Sequence, residues 1–456
     1  MERPSWFSRL VEFINSNRAT TFLIVLLLSF HAGLLAYSAT RHSPTLNEPG
    51  HLVAGLTHWK FGRFEVYRVN PPLTHYVAAI PVMIAGYEED WSGFYDSPGA
   101  RPEFKMGEDF IKANGERSIW LFTIARWGCI PFSLIGGLFC FFWSREFWGS
   151  NLAGLISLTL WCFEPNILAH GELVTPDCAA TSFGLGAGYL FWRWLRQPNW
   201  GKALAAGGVL GLAELTKTLW VILFGLWPVF WLFWLWAERR KLRKNAEDHA
   251  VSTPLRQQLL QLLSILLVAI YLLNLAYGFD GTFTRLKEYQ FVSTALTGLE
   301  KAGTPGNRFI DTWTGELPIP VPKQYLRGID LQKKDFEDYG QPSYLRGEWK
   351  DGGWWYYYIY GLAVKTPHGS QALLILSWIT IVILWKHRAT TPVVAIRDLI
   401  VLLTPALMVM VLVSSQLEFN HHVRYVLPVL GFCYVFAGVN AWWYLPQDKT
   451  KSSHLP

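Results

Sequence analysis

The feature that most limits what this chain can fold into is a succession of apolar runs nearly free of charge. The first covers residues 19–38 and contains Phe22-Leu23-Ile24-Val25-Leu26-Leu27-Leu28. About 20 residues of helix cross a hydrocarbon layer of about 30 Å, and a helix pairs its own backbone groups where water cannot. Further runs fall near 118–143, 149–169, 178–195, 203–216, 218–237, 257–278, 371–386, 397–414 and 424–443. These predict an all-α polytopic membrane protein of about ten transmembrane helices, the run at 203–216 being short and glycine-rich. Of the 456 residues, 51% are hydrophobic and 16% charged, against about 25% charged in soluble domains. A soluble enzyme, a coiled coil, a disordered chain and a secreted disulfide scaffold are thereby excluded.

Run 19–38 reads as a retained anchor, because Arg41, His42 and Pro44 stand where a signal peptide would need small residues. Cations set the orientation. With the N-terminus in the cytoplasm, the inner segments hold eighteen cations, among them Arg3, Arg9, Arg145, Arg193, Lys202, six in 239–256, Lys386, Lys449 and Lys451. Only Lys217 and Arg424 lie near the short outer turns. The expected organisation is a cytoplasmic N-terminus (1–18), a transmembrane module (19–278) with an outer loop at 39–117, a second outer loop (279–370), C-terminal spans (371–443) and a cytoplasmic tail (444–456). A net charge of +6 suggests nucleic acid, but its cations cluster at span ends and in two long loops rather than along one face. The five cysteines form no CxxC pair and read as packing residues.

In the first outer loop, Asn47-Glu48-Pro49 looks like a helix start, with Asn47 as N-cap. Leu52, Val53, Leu56 and Trp59 follow at helical spacing, as on a helix lying in the membrane interface. Residues 73–86, opened by Asn70-Pro71-Pro72, read as a second interfacial stretch. The second loop has seven aromatics between Trp349 and Tyr360, suited to stacking sugars or, more commonly, to an interfacial belt.

Ionisable groups near membrane depth are costly and mark function by default. Here they gather at outer helix ends: Glu48, Glu172, Asp177, Glu214 and Lys217, with Arg126 inside the second run. Each has a plainer explanation. Asp177 and Glu48 suit a helix N-terminus, Lys217 can snorkel, Arg126 can form a structural ion pair, and His170, His421 and His422 can be interfacial. Polar groups through the midplane, which a transport path needs, are scarce.

What raises these signals is their order. Asn47-Glu48-Pro49-Gly50-His51, Val69-Asn70-Pro71-Pro72-Leu73 and Ala169-His170-Gly171-Glu172-Leu173-Val174-Thr175-Pro176-Asp177 come first. Leu215-Thr216-Lys217, Tyr325-Leu326-Arg327-Gly328, Gly353-Trp354-Trp355-Tyr356-Tyr357 and Arg424-Tyr425-Val426-Leu427-Pro428 follow. Together, from about residue 20 to residue 440, they resemble the polyprenyl-phosphate-sugar-dependent glycosyltransferases of the GT-C fold, which include protein O-mannosyltransferases and lipid A aminoarabinose transferases.

The resemblance implies a multi-span enzyme, in a bacterial cell membrane, with its active site on the outer face. It implies an essential acid in the first outer loop and a second at position 177. The family usually has an Asp-Glu pair where this chain has Asn47-Glu48, and a basic residue where it has Asn70, for which Arg68 is a nearby substitute. The expected reaction moves a sugar, with inversion, from a polyprenyl phosphate to a hydroxyl of a lipid, glycan or protein. Glu48 is the first candidate for the base and Asp177 the second. Arg68, Lys217 and Arg424 are candidates for the donor phosphate, with Arg126 weaker. Asn47, Asn70, His170 and Glu172 are candidate substrate contacts. A divalent ion between Glu48 and Asp177 is left open, without a clear ligand cluster. The rival readings are a silent lipid-binding or assembly protein and a transporter of polyprenyl-linked sugars.

Overall fold

The structure is a computed structural model and describes residues 13–244, 253–386, 395–417 and 420–445. Most of the expected N-terminal segment 1–18, the tail 444–456 and part of the basic stretch 239–256 lie outside the described residues. The chain is a helical bundle, and among the described residues seven helices are long and apolar enough to cross a membrane. They are α1 (Asn17–Ser38), α5 (Arg117–Trp148), α10 (Ile222–Lys244, entered through Thr218–Val221), α11 (Leu255–Ala276), α14 (His368–Lys386), α15 (Ile396–Ser414) and Val423–Trp443, whose centre is α16 (Leu427–Ala437). This is a multi-pass membrane protein.

The other three expected spans are helices of a different kind. Run 149–169 is divided into α6 (Asn151–Phe163) and α7 (Pro165–His170), because Pro165 cannot continue a helix and Glu164 instead caps the next one. Run 203–216 is the 15-residue α9 (Trp200–Glu214). Run 178–195 becomes α8 (Asp177–Arg196), in which all but three of 20 residues are buried. It lies inside the bundle, so it can be less apolar than a lipid-facing helix.

The core is aromatic. Trp143, Trp161, Trp192, Trp194, Trp220 and Trp227 are almost wholly enclosed, and Phe191 stacks on Trp227 at 4.2 Å between ring centroids. An indole N–H in such surroundings needs a partner. Trp161 donates to the Ser133 carbonyl, Trp220 to the Ala180 carbonyl and Trp194 to Gln261 Oε1, each at 2.9 Å. On the outside, Phe22, Leu26, Phe30, Leu232, Leu267, Leu407 and Val411 stay exposed, as side chains facing lipid do.

Above the bundle sit the two long loops. The first folds into α2 (Glu48–Phe61), α3 (Leu73–Ala85) and α4 (Pro102–Asn114). Its expected single-faced interfacial helix is corrected here: α2 is buried at every residue from Gly50 to His58. Its polar residues as far as His58 lie inside the fold, so that stretch has no wet face, while Trp59, Lys60 and Phe61 at its end stay exposed. Asn47 does occupy the N-cap position, but its side chain caps nothing; the Glu48 carboxylate takes the Thr45 N–H instead.

The second loop contains α12 (Lys323–Glu337), α13 (Tyr357–Lys365) and a hairpin of β1 (Ser343–Leu345) and β2 (Glu348–Lys350). Its turn uses positive φ at Arg346 and Gly347. Asp330 of α12 accepts the Val292 and Ser293 N–H groups, and Tyr325 donates to Glu214 at the end of α9. A Cβ at Gly328 would stand 2.0 Å from the Arg68 carbonyl oxygen. That glycine lets the second loop close on the first.

Candidate functional site

Two carboxylates were expected to carry chemistry, and their surroundings differ. Glu48 is fully buried. Arg126 grips it with two bonds, Nε to Oε1 at 2.8 Å and Nη2 to Oε2 at 2.7 Å. The Val174 and Thr45 N–H groups complete four donors on two oxygens. Arg126 spends its remaining donors on the carbonyls of Ala39, His42 and Ser43. Burial alone would raise the Glu48 carboxyl; the Arg126 bonds and charge, with the two amides, hold it below the ordinary range. The pair ties together the end of α1, the start of α2, the middle of α5 and the turn before α8.

Asp177 opens α8, yet its side chain caps no backbone N–H. Its oxygens face cations: Lys217 Nζ at 2.7 Å from Oδ1 and Arg424 Nε at 3.5 Å from Oδ2. Three segments distant in sequence, just after α9, at the start of α8 and at the entry to α16, converge here because their helices pack together. Lys217 Nζ also lies 4.8 Å from the Tyr425 ring centroid, a cation–π contact. His170 and His422 flank the cluster. Burial, then the charge of Arg424, holds the His422 imidazole down at about 4. His170 is lowered chiefly by burial, and its buried Nδ1 has no hydrogen-bond partner.

From this cluster a groove of about 350 Å³ leads away. Lys217 and Tyr425 stand in its lining, and its walls are largely apolar, with Leu219, Ile222, Leu412 and Phe336 among them. Such a cavity accepts an apolar chain whose polar end meets a cation.

Other candidates lie apart from Asp177. Arg68 is buried, bound to Asp96 and to the Glu65 carbonyl, and its Nη1 has no partner. Arg327 approaches the same Asp96 at 3.6 Å. Glu172 turns toward the end of α1, accepting from Ser38 and meeting His42 Nε2 at 3.3 Å. Among the described residues the Asn47 and Asn70 side chains make no hydrogen bond, although the Asn47 carbonyl accepts the His51 N–H. Also among the described residues, no group of three or more His, Cys, Asp or Glu is arranged to hold a metal.

Sequence reasoning missed Tyr425, Tyr67 and Arg101 as neighbours of the charged cluster. Tyr425 stood inside a quoted motif, but only packing reveals that its ring meets Lys217. Tyr67 adopts φ 56°, a left-handed conformation rare for a large residue. No composition or spacing signal announces that.

Residues 104–283 match the family model described as dolichyl-phosphate-mannose-protein mannosyltransferase. That stretch includes Asp177 and Lys217 but not Glu48, Arg68 or Arg424. No curated protein matches the chain. Among solved structures, the chain is similar to ArnT from Cupriavidus metallidurans in the apo state, with 15% identity and a TM-score of 0.48, over 92% of this chain and 60% of that one. ArnT from the same organism bound to undecaprenyl phosphate matches with 15% identity and a TM-score of 0.43, over 91% and 59%. The chain thus spans about three fifths of the length of these structures.

Proposed function

We propose that this chain is a membrane glycosyltransferase of the GT-C type, moving one sugar from a polyprenyl-phosphate donor to an acceptor hydroxyl on the outer face of the membrane, with inversion. The observation that carries the reading is Asp177 held between Lys217 and Arg424, with Lys217 also lining an apolar groove. The mannosyltransferase-family match over 104–283 supports it.

The polyprenyl chain lies in the groove, and its phosphate meets Lys217 and Arg424. As the anomeric carbon–oxygen bond breaks, charge builds on that phosphate, where cations in a dry site stabilise it most. Asp177 orients those cations and accepts a hydrogen bond from the acceptor hydroxyl, holding it in line. Glu48 is then a scaffold rather than the base, since its lone pairs are taken by four donors. That also removes the difficulty posed by Asn47, which cannot take a proton. The Arg68–Asp96–Arg327 cluster lies apart and suits an anionic group on the acceptor. Lipid, glycan and protein acceptors all remain compatible, as do hexosyl and pentosyl donors. The cation bias supports cytoplasmic termini, and the family resemblance supports a bacterial cell membrane.

The test is transfer from labelled polyprenyl-phosphate sugars in proteoliposomes. Asp177→Asn is expected to lower turnover about 10²-fold or more, and Lys217→Ala to weaken donor binding. Donor bound by the native protein but never turned over would overturn the enzyme reading.

A further inference from the structure

Three histidines of the first outer loop form a hydrogen-bonded chain that the reading above does not use. His51 and His58 lie seven residues apart on one face of α2, about 10 Å along the axis. His75 of α3 fits between them. Gly55 permits this: a Cβ there would stand 2.1 Å from the His75 carbonyl oxygen. His51 Nδ1 meets His75 Nε2 at 2.8 Å, His75 Nδ1 meets His58 Nε2 at 3.3 Å, and His58 Nδ1 meets the Arg63 carbonyl at 2.7 Å. All three rings are buried.

The end of the chain dictates its direction. A carbonyl only accepts, so His58 Nδ1 carries the hydrogen. A neutral His58 then has a bare Nε2, which requires Nδ1–H on His75. By the same step His75 Nε2 is bare and His51 carries Nδ1–H. His51 Nε2 is left as an unprotonated acceptor, and among the described residues it has no hydrogen-bond partner. Burial favours the neutral ring at every position.

The His51 end of the chain is the one on which the charged cluster acts. The His51 ring stacks on Tyr67 at 3.9 Å between centroids, and the charges of Arg424, Asp177, Lys217 and Arg101 reach it. Tyr67, strained at positive φ, feels Arg101, Glu103, Arg424 and Tyr425. A left-handed non-glycine residue is unfavourable and persists where the surroundings demand it. The far end, at His58, feels Glu65 instead.

We propose that His51, His75 and His58 form a proton relay, taking the proton of the acceptor hydroxyl at His51 Nε2 and moving the positive charge to His58. The inference rests on the glycosyltransferase reading and names its proton acceptor. The hydroxyl O–H bond breaks, and its electron pair forms the bond to the anomeric carbon. The carbon–oxygen bond to phosphate breaks, and that pair stays on the phosphate. The proton binds His51 Nε2, His51 Nδ1–H passes to His75 Nε2, and His75 Nδ1–H passes to His58 Nε2. The proton later returns by the same path to the lipid phosphate, which as a monoester carries one more negative charge than the diester did. An imidazolium kept at His51 would face the cations of Arg424, Lys217 and Arg101. Transfer to His58 relieves that repulsion. Asp177, already paired with two cations, is a weak base by comparison.

The first measurement needs no activity: ¹⁵N spectra of histidine-labelled protein in nanodiscs. The relay requires all three rings as the Nδ1–H tautomer, and His51 found with hydrogen on Nε2 overturns it. The second is His75→Gln, whose amide keeps both hydrogen bonds but cannot pass a proton. Donor binding should be unchanged and kcat should fall about 10²-fold. His58→Gln, at the far end, should act in the same direction. Native kcat in a folded His75→Gln protein overturns the relay and leaves the glycosyltransferase reading intact. Absence of transfer by the native protein overturns that reading, while the tautomers still decide whether His51 presents a bare nitrogen.

Discussion

At the scale of single residues, the two acids that look alike in sequence are chemically opposite in the fold. Glu48 is closed off by Arg126 and two backbone amides, whereas Asp177 shares its charge with Arg424 and with Lys217, which lines a groove. Removing one partner of a buried, hydrogen-bonded ion pair costs about 3–5 kcal/mol, because the other charge is left bare. Arg126→Met is therefore expected to lower thermal stability in micelles severely, and Glu48→Gln to do so less. Asp177→Asn also breaks a buried pair but leaves an amide oxygen that still accepts from Lys217, so it should cost less stability than Arg126→Met while lowering turnover about 10²-fold. Equal loss of stability in Asp177→Asn and Arg126→Met, read by scanning calorimetry, would contradict this division.

Histidine burial has a further consequence. His58 is held down at about 4 from an ordinary 6.5, chiefly by burial. Between those values the unfolded chain binds a proton that the folded chain refuses, so stability falls as pH drops through that window. Above about pH 6.5 the ring is neutral in both states and contributes nothing to the slope. His58→Gln should flatten the melting temperature against pH between about 6 and 4, which a thermal melt series checks directly. An unaltered slope would show that other groups carry it.

Among the elements, glycine contacts determine how the two long loops seat on the bundle. Gly328 brings α12 against the carbonyl of Arg68, where a methyl group would be 2.0 Å from oxygen. Backbone cannot yield there as a flexible side chain would. Gly328→Ala is expected to push α12 off the first loop at a cost of about 1–3 kcal/mol. Faster proteolysis of segment 279–356 in the variant would report the displacement; native protease resistance would argue against it. Helices α4 and α12 were not read from the sequence, because both are polar and short and lack the long apolar signature that marked the spans. Helix α2 was read, but as a surface helix. Its Leu52, Val53 and Leu56 gave the right periodicity, while the pairing of His51 and His58 with a ring on α3 could not be inferred from spacing.

For the whole molecule, the arrangement is a bundle with an apolar outer girdle, an aromatic interior and both long loops folded over the Asp177 end. Ser97 and Arg145 are exposed and lie at opposite ends of this arrangement by the cation bias. The described cysteines are buried or nearly so, which keeps background labelling low. An impermeant thiol reagent added to intact cells should label Ser97→Cys and not Arg145→Cys. The opposite pattern would invert the orientation.

The sequence by itself determined that the chain is a helical, multi-pass membrane protein, since runs of about 20 apolar residues have no other stable home. It also determined that Asp177 and Lys217 merit attention, because charged side chains at helix ends within such runs are costly, while Arg424 stood out through its motif. What only the tertiary structure decided is which charges meet. Arg126 finds Glu48 across 78 positions of chain, Lys217 finds Asp177 across 40, and three histidines align from two helices. Each pairing depends on where helices cross and how closely glycine lets them approach, and a linear pattern contains neither.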